Sequence, residues 1–596
     1  MDSYFATGNE YVSLPEINAQ SGAIEDMSFL YMSLKGMIDV RGAERPLIAP
    51  FISTEGRELP LSDIALSREL WWIPVMRANA GAHRFKMTVL CPVGERGFGL
   101  RLELLAGEDV SFDWGLRGLW ASAWHCVNEN KRLEGSMHCY ESPWNSSLVF
   151  DMRSGAPLFA FAPMGDRELK SEYRQDSEGI AYRLSRGESL KKGQTASLCI
   201  YWGLGFEEVA AATSAKELLR RGWDWEYERS ARWLKARCRR MKTERLTEIY
   251  NTNLFFCLFY STGLTLDTEE LVCVTSRSSR YYVSAAYWDR DVLLWAFPAI
   301  LEADMELAGE VLRHVFTRQR RNIGIHSRYI DGTVLEPGFE LDELVSPIIA
   351  LEAYADAGGD TALLNEPEVK KGLELILRRL RAERHHTHAL YSTFLQPTDD
   401  EIVYPYLCYN NVLVWRALKA LSRLYGGEYA CLEAEAEEVR KAIYAHFVFK
   451  NNEGRPFFCW SADLEGRHNV YDEPPGSLQL LPYYGFCSFE DEAWRNTVNM
   501  IRSADYEYSF HGCPIAQIGC AHAPYPWVLS LCNSLLCGFE QEALSQLEMM
   551  KMDNGIACES VDAYSGECTT GAAFATCAGI LCRSMYLSCR EVEHEN

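Results

Sequence analysis

The hydrophobic period changes once along this chain, and that change limits the fold more than any other feature. Up to about residue 205 the apolar residues fall in short runs of strand type: FKMTVLCPV, FGLRLELLA, SLVFDM, PLFAFAPM, IAYRLSR and ASLCIYWGLG, separated by Gly, Asp, Asn and Pro. No amphipathic helix intervenes, so residues 1–205 are expected to form an antiparallel β-sandwich. The charged stretch EEVAAATSAKELLRRGWDWEYERSARWLKARCRRM then reads as a helical linker over 206–242.

From Thr243 onwards the spacing is helical. Breaks at Gly, Pro and Asp divide 243–596 into about twelve segments: 244–262, 288–302, 304–320, 340–357, 360–382, 408–424, 428–447, 475–483, 488–503, 524–537, 539–550 and 568–588. Twelve helices make six α-hairpins, the number that closes an (α/α)6 toroid, because a hairpin that cannot bury its own apolar face is covered by the next one. The loops 321–339, 391–407, 449–474, 504–523 and 551–567 are long and rich in Trp, Tyr, His, Asp and Gly. Recurring after about every second helix, they would share one rim, where binding and catalysis are usually carried.

Size and charge agree with this division. A chain of 596 residues exceeds the roughly 250–300 at which one core stops growing. With 59 Lys and Arg against 83 Asp and Glu, the net charge of −24 argues against nucleic acid or an anionic membrane as partner. No apolar run is long enough to span a bilayer, and MDSYFATGNEYVSLPE lacks the basic and apolar parts of a secretory leader, so a cytoplasmic chain is expected. A homo-oligomer is allowed. The 20 cysteines include no CxxC pair and read as small buried hydrophobes, so neither a metal nor another cofactor is expected.

Five stretches carry residue types suited to sugar chemistry. YYVSAAYWDRDVLLWAFPAIL sets Trp288, Asp289, Arg290 and Asp291 at a helix start, where Arg and Asp can grip vicinal hydroxyls beside an indole. Helix capping, worth about 0.5–2 kcal/mol, accounts for one of these aspartates but not for the set. GFELDELVSPIIALEAY sets Glu340, Asp342 and Glu343 in one helical turn, with Asp342 directed inward. FLQPTDDEIVYPYLCYNNVLVW offers Asp399 and Asp400 in a polar loop, followed by Tyr409 and Asn410. SFHGCPIAQIGCAHAPYPWVLSL offers His522 and Trp527. MDNGIACESVDAYSGECTTGAAFATCAG holds Glu559 outside any obvious helix, ahead of a small-residue helix start.

Together these stretches resemble the inverting glycosidases built on an (α/α)6 barrel. The sandwich-then-toroid order and the segment YWGLGFEEVAAATSAKELLRRGWDWEYERSARWLKAR look like prokaryotic glucoamylases and glycogen-debranching glucosidases. The motifs WDRD, ELDELVSPI, IGCAHAPYPWVLSL and ACESVD are similar to those of the exo-α-1,6-mannosidase family, although Cys558 stands where that family commonly has His. The resemblance implies an inverting exo-acting hydrolase of α-linked glycosides, with Asp342 as general acid and Glu559 as base. Trp288, Asp289, Arg290, Asp291, Glu340, Glu343, Asp400, Tyr409, Asn410, His522 and Trp527 would then contact a carbohydrate substrate. A glycoside phosphorylase of similar architecture, a polysaccharide lyase using His511, His522 and Arg328, or a non-catalytic carbohydrate-binding protein are the alternatives.

Overall fold

The structure is a computed structural model and describes residues 3–589. The chain divides into two compact units, one of Met1–Cys238 with Thr262–Val272 and Arg277–Ala285, the other of Arg239–Ser261 with Cys273–Ser276 and Ala286–Asn596.

The first unit is built mainly from three large sheets whose strands pair antiparallel. An eight-stranded sheet runs in the order Ser136–Glu141, Leu148–Ser154, Ala156–Gly165, Thr195–Gly205, Gly97–Leu105, His83–Leu90, Ile73–Ala80 and Leu61–Glu69. Sheets of six and five strands accompany it. The period of two seen in the sequence is used here: Leu100, Leu102, Leu198 and Ile200 point into a core shared with Trp114, Trp120, Trp202, Phe150 and Phe161. The rings of Phe150 and Phe161 stack at 4.9 Å across adjacent strands. Helix Glu208–Arg221 lies on this sheet through Ala211 and Ala215, and Gly203 makes the approach possible: a Cβ there would fall 2.1 Å from Ala211 O.

The second unit is helical. Its main helices are Glu244–Tyr260, Phe297–Ala303, Met305–His314, Leu341–Asp356, Pro367–Ala382, Cys408–Tyr425, Leu432–Phe447, Glu492–Ile501, Val528–Leu536, Glu540–Met549 and Ala575–Cys589. The segment expected as a helix at 475–483 is instead two 3-10 turns, Pro474–Gly476 and Leu478–Leu480. Pro474, Pro475 and Pro482 leave too few backbone donors there for α-helical turns. The first helix packs against the last. Among the described residues no helix is long and apolar enough to cross a membrane. Of the cysteines, Cys257, Cys408, Cys532, Cys577 and Cys582 are free and fully buried, as small hydrophobes would be.

Candidate active site

Arg290 is the centre of the helical unit's polar interior. It precedes a π-helical turn, Asp291–Ala296, a rare form that recurs at functional positions because it redirects side chains by one residue. Its guanidinium is buried and ion-paired to Glu340 at 2.5 Å, Asp399 at 2.6 Å and Asp342 at 3.2 Å, with Glu343 at 3.7 Å. Glu340, Asp342 and Glu343 open helix Leu341–Asp356, yet Glu340 makes no side-chain cap. Its oxygens go to Arg290 and to His326 Nδ1, 2.5 Å away. Burial raises the carboxyl pKa of Glu340 to about 7, lifts that of Asp342, and pushes Glu343 well above its ordinary range; Arg290 opposes the shift in each. At His326 burial works downward, but the Glu340 hydrogen bond and the charges of Asp399 and Glu340 outweigh it and raise the pKa to about 9. His326, Glu340 and Asp399 converge closely enough to suit a cation, and Arg290 already supplies one.

Asp289 and Asp291 face different partners. Asp289 accepts from Tyr287 Oη at 2.7 Å and pairs with the fully buried Arg328, while its backbone N–H donates to Glu343. Asp291 accepts from Thr576 Oγ1 at 3.1 Å, and burial raises its pKa to about 7. Trp288 is buried, its indole set edge-on to His326 at 5.6 Å.

Asp399 and Asp400 diverge although they are adjacent. Asp399 has φ of 68°, the left-handed region that Asp tolerates better than most residues, at the tip of a turn closed by Asp399 N–H to Gln396 O at 2.8 Å and Gln396 N–H to Asp400 O at 2.9 Å. This reversal sends Asp399 to Arg290 and leaves Asp400 beside Thr398 and His522, each 3.2 Å from its Oδ2. The Asp400 side chain is 48% exposed, whereas that of Asp342 is 0%. Both oxygens of Asp342 are engaged, by Arg290 and by Asn410 Nδ2 at 3.3 Å. Tyr409, also buried, meets Tyr484 Oη to Oη at 3.2 Å.

Glu559 is buried and accepts from Thr570 Oγ1 at 2.9 Å. Its backbone is fixed by Glu559 N–H to Gly571 O at 3.1 Å and by Val528 N–H to Glu559 O at 3.0 Å. Val561 N–H bonds to Pro526 O at 2.9 Å. The segment His522–Val528 therefore touches Asp400 at one end and pairs with the Glu559 strand at the other, with the buried Trp527 indole donating to Ala523 O inside it. The buried Cys520 thiol, raised mainly by burial, also feels both Glu473 and Glu559.

Sequence reasoning missed three members of this constellation. His326 lies in a short strand, IHSR, that carries no motif. Thr398 and Glu473 flank prolines in loops, and their pairing exists only in the fold. Nothing in the local sequence marks either.

Comparison with known proteins bears on this arrangement. The model of the metal-independent α-mannosidase family, glycoside hydrolase family 125, matches residues 385–586, about a third of the chain. That stretch contains Asp400, His522 and Glu559 but not Asp342. A metal-independent α-mannosidase from Streptococcus pneumoniae, solved with α-1,6-mannobiose, shares 18% identity over 58% of this chain and 94% of its own, with a TM-score of 0.51. A bacterial glucoamylase complexed with acarbose shares 13% identity over 98% of this chain and 94% of its own, with a TM-score of 0.66. A human-microbiome protein described as a kojibiose phosphorylase shares 10% identity over 98% and 87%, with a TM-score of 0.61. No curated protein matches the chain. The resemblance drawn from the sequence is borne out: the family match points to a glycoside hydrolase, and the α-mannosidase and glucoamylase structures share the fold.

Proposed function

We propose that the chain is an inverting, exo-acting α-glycosidase in which Glu559 activates water and Asp400 protonates the departing oxygen. The observation that carries this reading is the segment His522–Val528, which holds the two carboxylates in common, Asp400 through His522 and Glu559 through backbone pairing. Inversion needs an acid and a base roughly 6.5–9.5 Å apart across a sugar and a water. A general acid must also be reachable by its substrate. Asp400 is half-exposed on a rim loop, and Glu559 is held by the Thr570 hydroxyl and by backbone pairing on both sides.

Asp342 as the acid, the assignment implied by the family motif, is the second reading. Its raised pKa favours it, and its enclosure by Arg290 and Asn410 opposes it. In the first reading Asp342 instead holds Arg290 and Asn410 for the sugar hydroxyls.

The scaffold we infer is the closed toroid. Inner segments touch in sequence: Asp291–Ala296 with Leu341–Asp356, that helix with Cys408–Tyr425, the 3-10 turns with Val528–Leu536, and Val528–Leu536 with Ala575–Cys589, which returns to Asp291–Ala296. The remaining link, between Cys408–Tyr425 and the 3-10 turns, is supported by Gly476, where a Cβ would meet Tyr409 Cδ1 at 2.9 Å. The long loops would then share one rim.

Water rather than phosphate as acceptor is favoured by the company Glu559 keeps. The buried Cys577 feels the charges of both Asp291 and Glu559, so a phosphate placed there would face two carboxylates. The test is kinetic. Asp400→Asn, Asp342→Asn and Glu559→Gln are assayed on α-mannosides and α-glucosides with good and poor leaving groups, with and without phosphate. An acid variant loses about a hundredfold or more on the poor leaving group and much less on the good one, whereas the base variant loses on both. Leaving-group dependence in Asp342→Asn and none in Asp400→Asn would exchange the two roles. Proton NMR of the first anomer released checks inversion.

A further inference from the structure

The hydroxyl of Thr398 stands between two carboxyl groups and has one hydrogen to give. Its Oγ1 lies 2.9 Å from Glu473 Oε2 and 3.2 Å from Asp400 Oδ2. Thr398 N–H meanwhile donates to Glu473 Oε1 at 3.0 Å, so Oε1 is an acceptor in any protonation state. If both carboxyls were ionised, either Glu473 Oε2 or Asp400 Oδ2 would face the Thr398 lone pairs. Both contacts are satisfied when Glu473 carries a proton on Oε2 and donates it to Thr398, which then donates to Asp400.

We propose that Glu473 is a positioning residue that stays protonated and, through Thr398, fixes which oxygen of Asp400 carries the proton to be transferred. With Thr398 donating to Oδ2 and His522 in the tautomer that donates Nδ1–H there as well, the proton sits on Oδ1, the oxygen left for the leaving group. When Asp400 gives that proton up, the negative charge forms on a carboxylate already served at Oδ2, and Glu473 adds no second charge beside it. No net proton leaves Glu473 in the cycle. An ionised Glu473 would claim the Thr398 hydrogen, leave Oδ2 facing lone pairs and pull the Asp400 proton onto the wrong oxygen. The proposal rests on Asp400 as the acid.

The surroundings of Glu473 fit a neutral carboxyl. It is fully buried, and it interacts with Asp400, Asp472, Tyr471, Tyr506 and the Cys520 thiol, each of them an acid. Burial, with Asp400 and Asp472 adding to it, pushes its pKa well above the ordinary range, against the Thr398 hydrogen bonds. Asp472 is served separately, by Ser477 Oγ at 2.6 Å and Leu478 N–H at 2.7 Å.

Infrared difference spectroscopy of the full chain tests the protonation directly, without reference to activity. At pH 7 the wild type minus Glu473→Gln spectrum should contain the absorption of a protonated carboxyl. Glu473→Gln, whose amide can donate to Thr398 as the acid does, should keep kcat within about threefold on good and poor leaving groups alike. Thr398→Val, which keeps the volume and removes the hydrogen, should lower kcat about tenfold or more on a poor leaving group and far less on a good one. The proposal is overturned by a spectrum without the band, by Glu473→Gln losing as much as Thr398→Val, or by equal losses on the two substrates in Thr398→Val, the mark of a purely structural role. Asp400→Asn without leaving-group dependence would remove the acid assignment itself, an outcome read independently of the band.

Discussion

Replacing Asp291 by Asn should stabilise the protein, and increasingly so as the pH rises. Asp291 is fully enclosed, and burial raises its pKa from the ordinary value near 3.8 to about 7. Between those values the native state keeps a proton that the unfolded chain releases, so stability from this group falls as pH rises through that window and is level above it. A difference of about 3 units at 1.36 kcal/mol each gives a penalty of about 4 kcal/mol at neutral pH. Asparagine cannot ionise and still accepts from Thr576 through its carbonyl oxygen. The helical unit has about 340 residues, and at about 2.1 cal/mol/K of unfolding entropy per residue, 4 kcal/mol corresponds to about 6 °C in Tm. Scanning calorimetry of both proteins from pH 4 to 8 should therefore show the variant near wild type at pH 4 and about 6 °C higher at pH 7 and above. A Tm difference that does not change with pH would refute the reasoning, because only an ionising group can produce the slope. Activity should fall in the same variant, since stability gained inside a charged site is commonly lost function.

Other expectations follow from single contacts. Arg328→Met leaves Asp289 buried without its guanidinium partner and should cost about 3–5 kcal/mol, or about 4–7 °C in Tm by calorimetry. Gly476→Ala inserts a Cβ 2.5 Å from Pro397 Cγ, so it should displace the Pro397–Asp400 turn; kcat should fall several-fold in steady-state assays while the circular dichroism spectrum is kept. A basic iminosugar binding beside Arg290 should promote loss of protons from the raised carboxyls, measurable by titration calorimetry in buffers of different ionisation enthalpy.

The sequence's single change of period was enough to separate the sheet unit from the helical one, because each period follows from backbone geometry that tertiary contacts rarely overturn. It failed at 475–483, where the apolar run LQLL suggested a helix and closely spaced prolines prevented one. The acids of the site were visible as residue types at helix starts, but their roles were not. Glu340 and Asp342 stand two residues apart at one helix start, and only the fold shows that both are turned to the guanidinium of Arg290, fifty positions away. The divergence of Asp399 and Asp400 depends on one left-handed residue, which no composition or spacing announces. Glu473 was invisible for a similar reason: YDEPPG reads as a solvated turn, whereas the fold closes it over Thr398.

The charge around Arg290 also says what kind of ligand this interior suits. Arg290 and the raised His326 supply two positive charges, while Asp291, Glu340, Asp342, Glu343 and Asp399 can supply five negative ones. Such an excess is not sustainable in a buried cluster, and the upward shifts of Glu340, Asp342 and Glu343 are how it is relieved: protons replace missing cations. The result is a region near neutrality that is crowded with hydrogen-bond donors and acceptors. An anionic ligand would meet unreleased carboxylates there, and a nonpolar one would leave the carboxyls unserved. A neutral polyol such as a terminal hexose can accept from Arg290 and give its hydroxyl hydrogens to the carboxylates in one pose. That match of a charge-balanced, proton-holding cluster to an uncharged sugar, with Asp400 and Glu559 both outside it, is the physical reason a glycosidase reading accounts for this interior better than a phosphate-using one does.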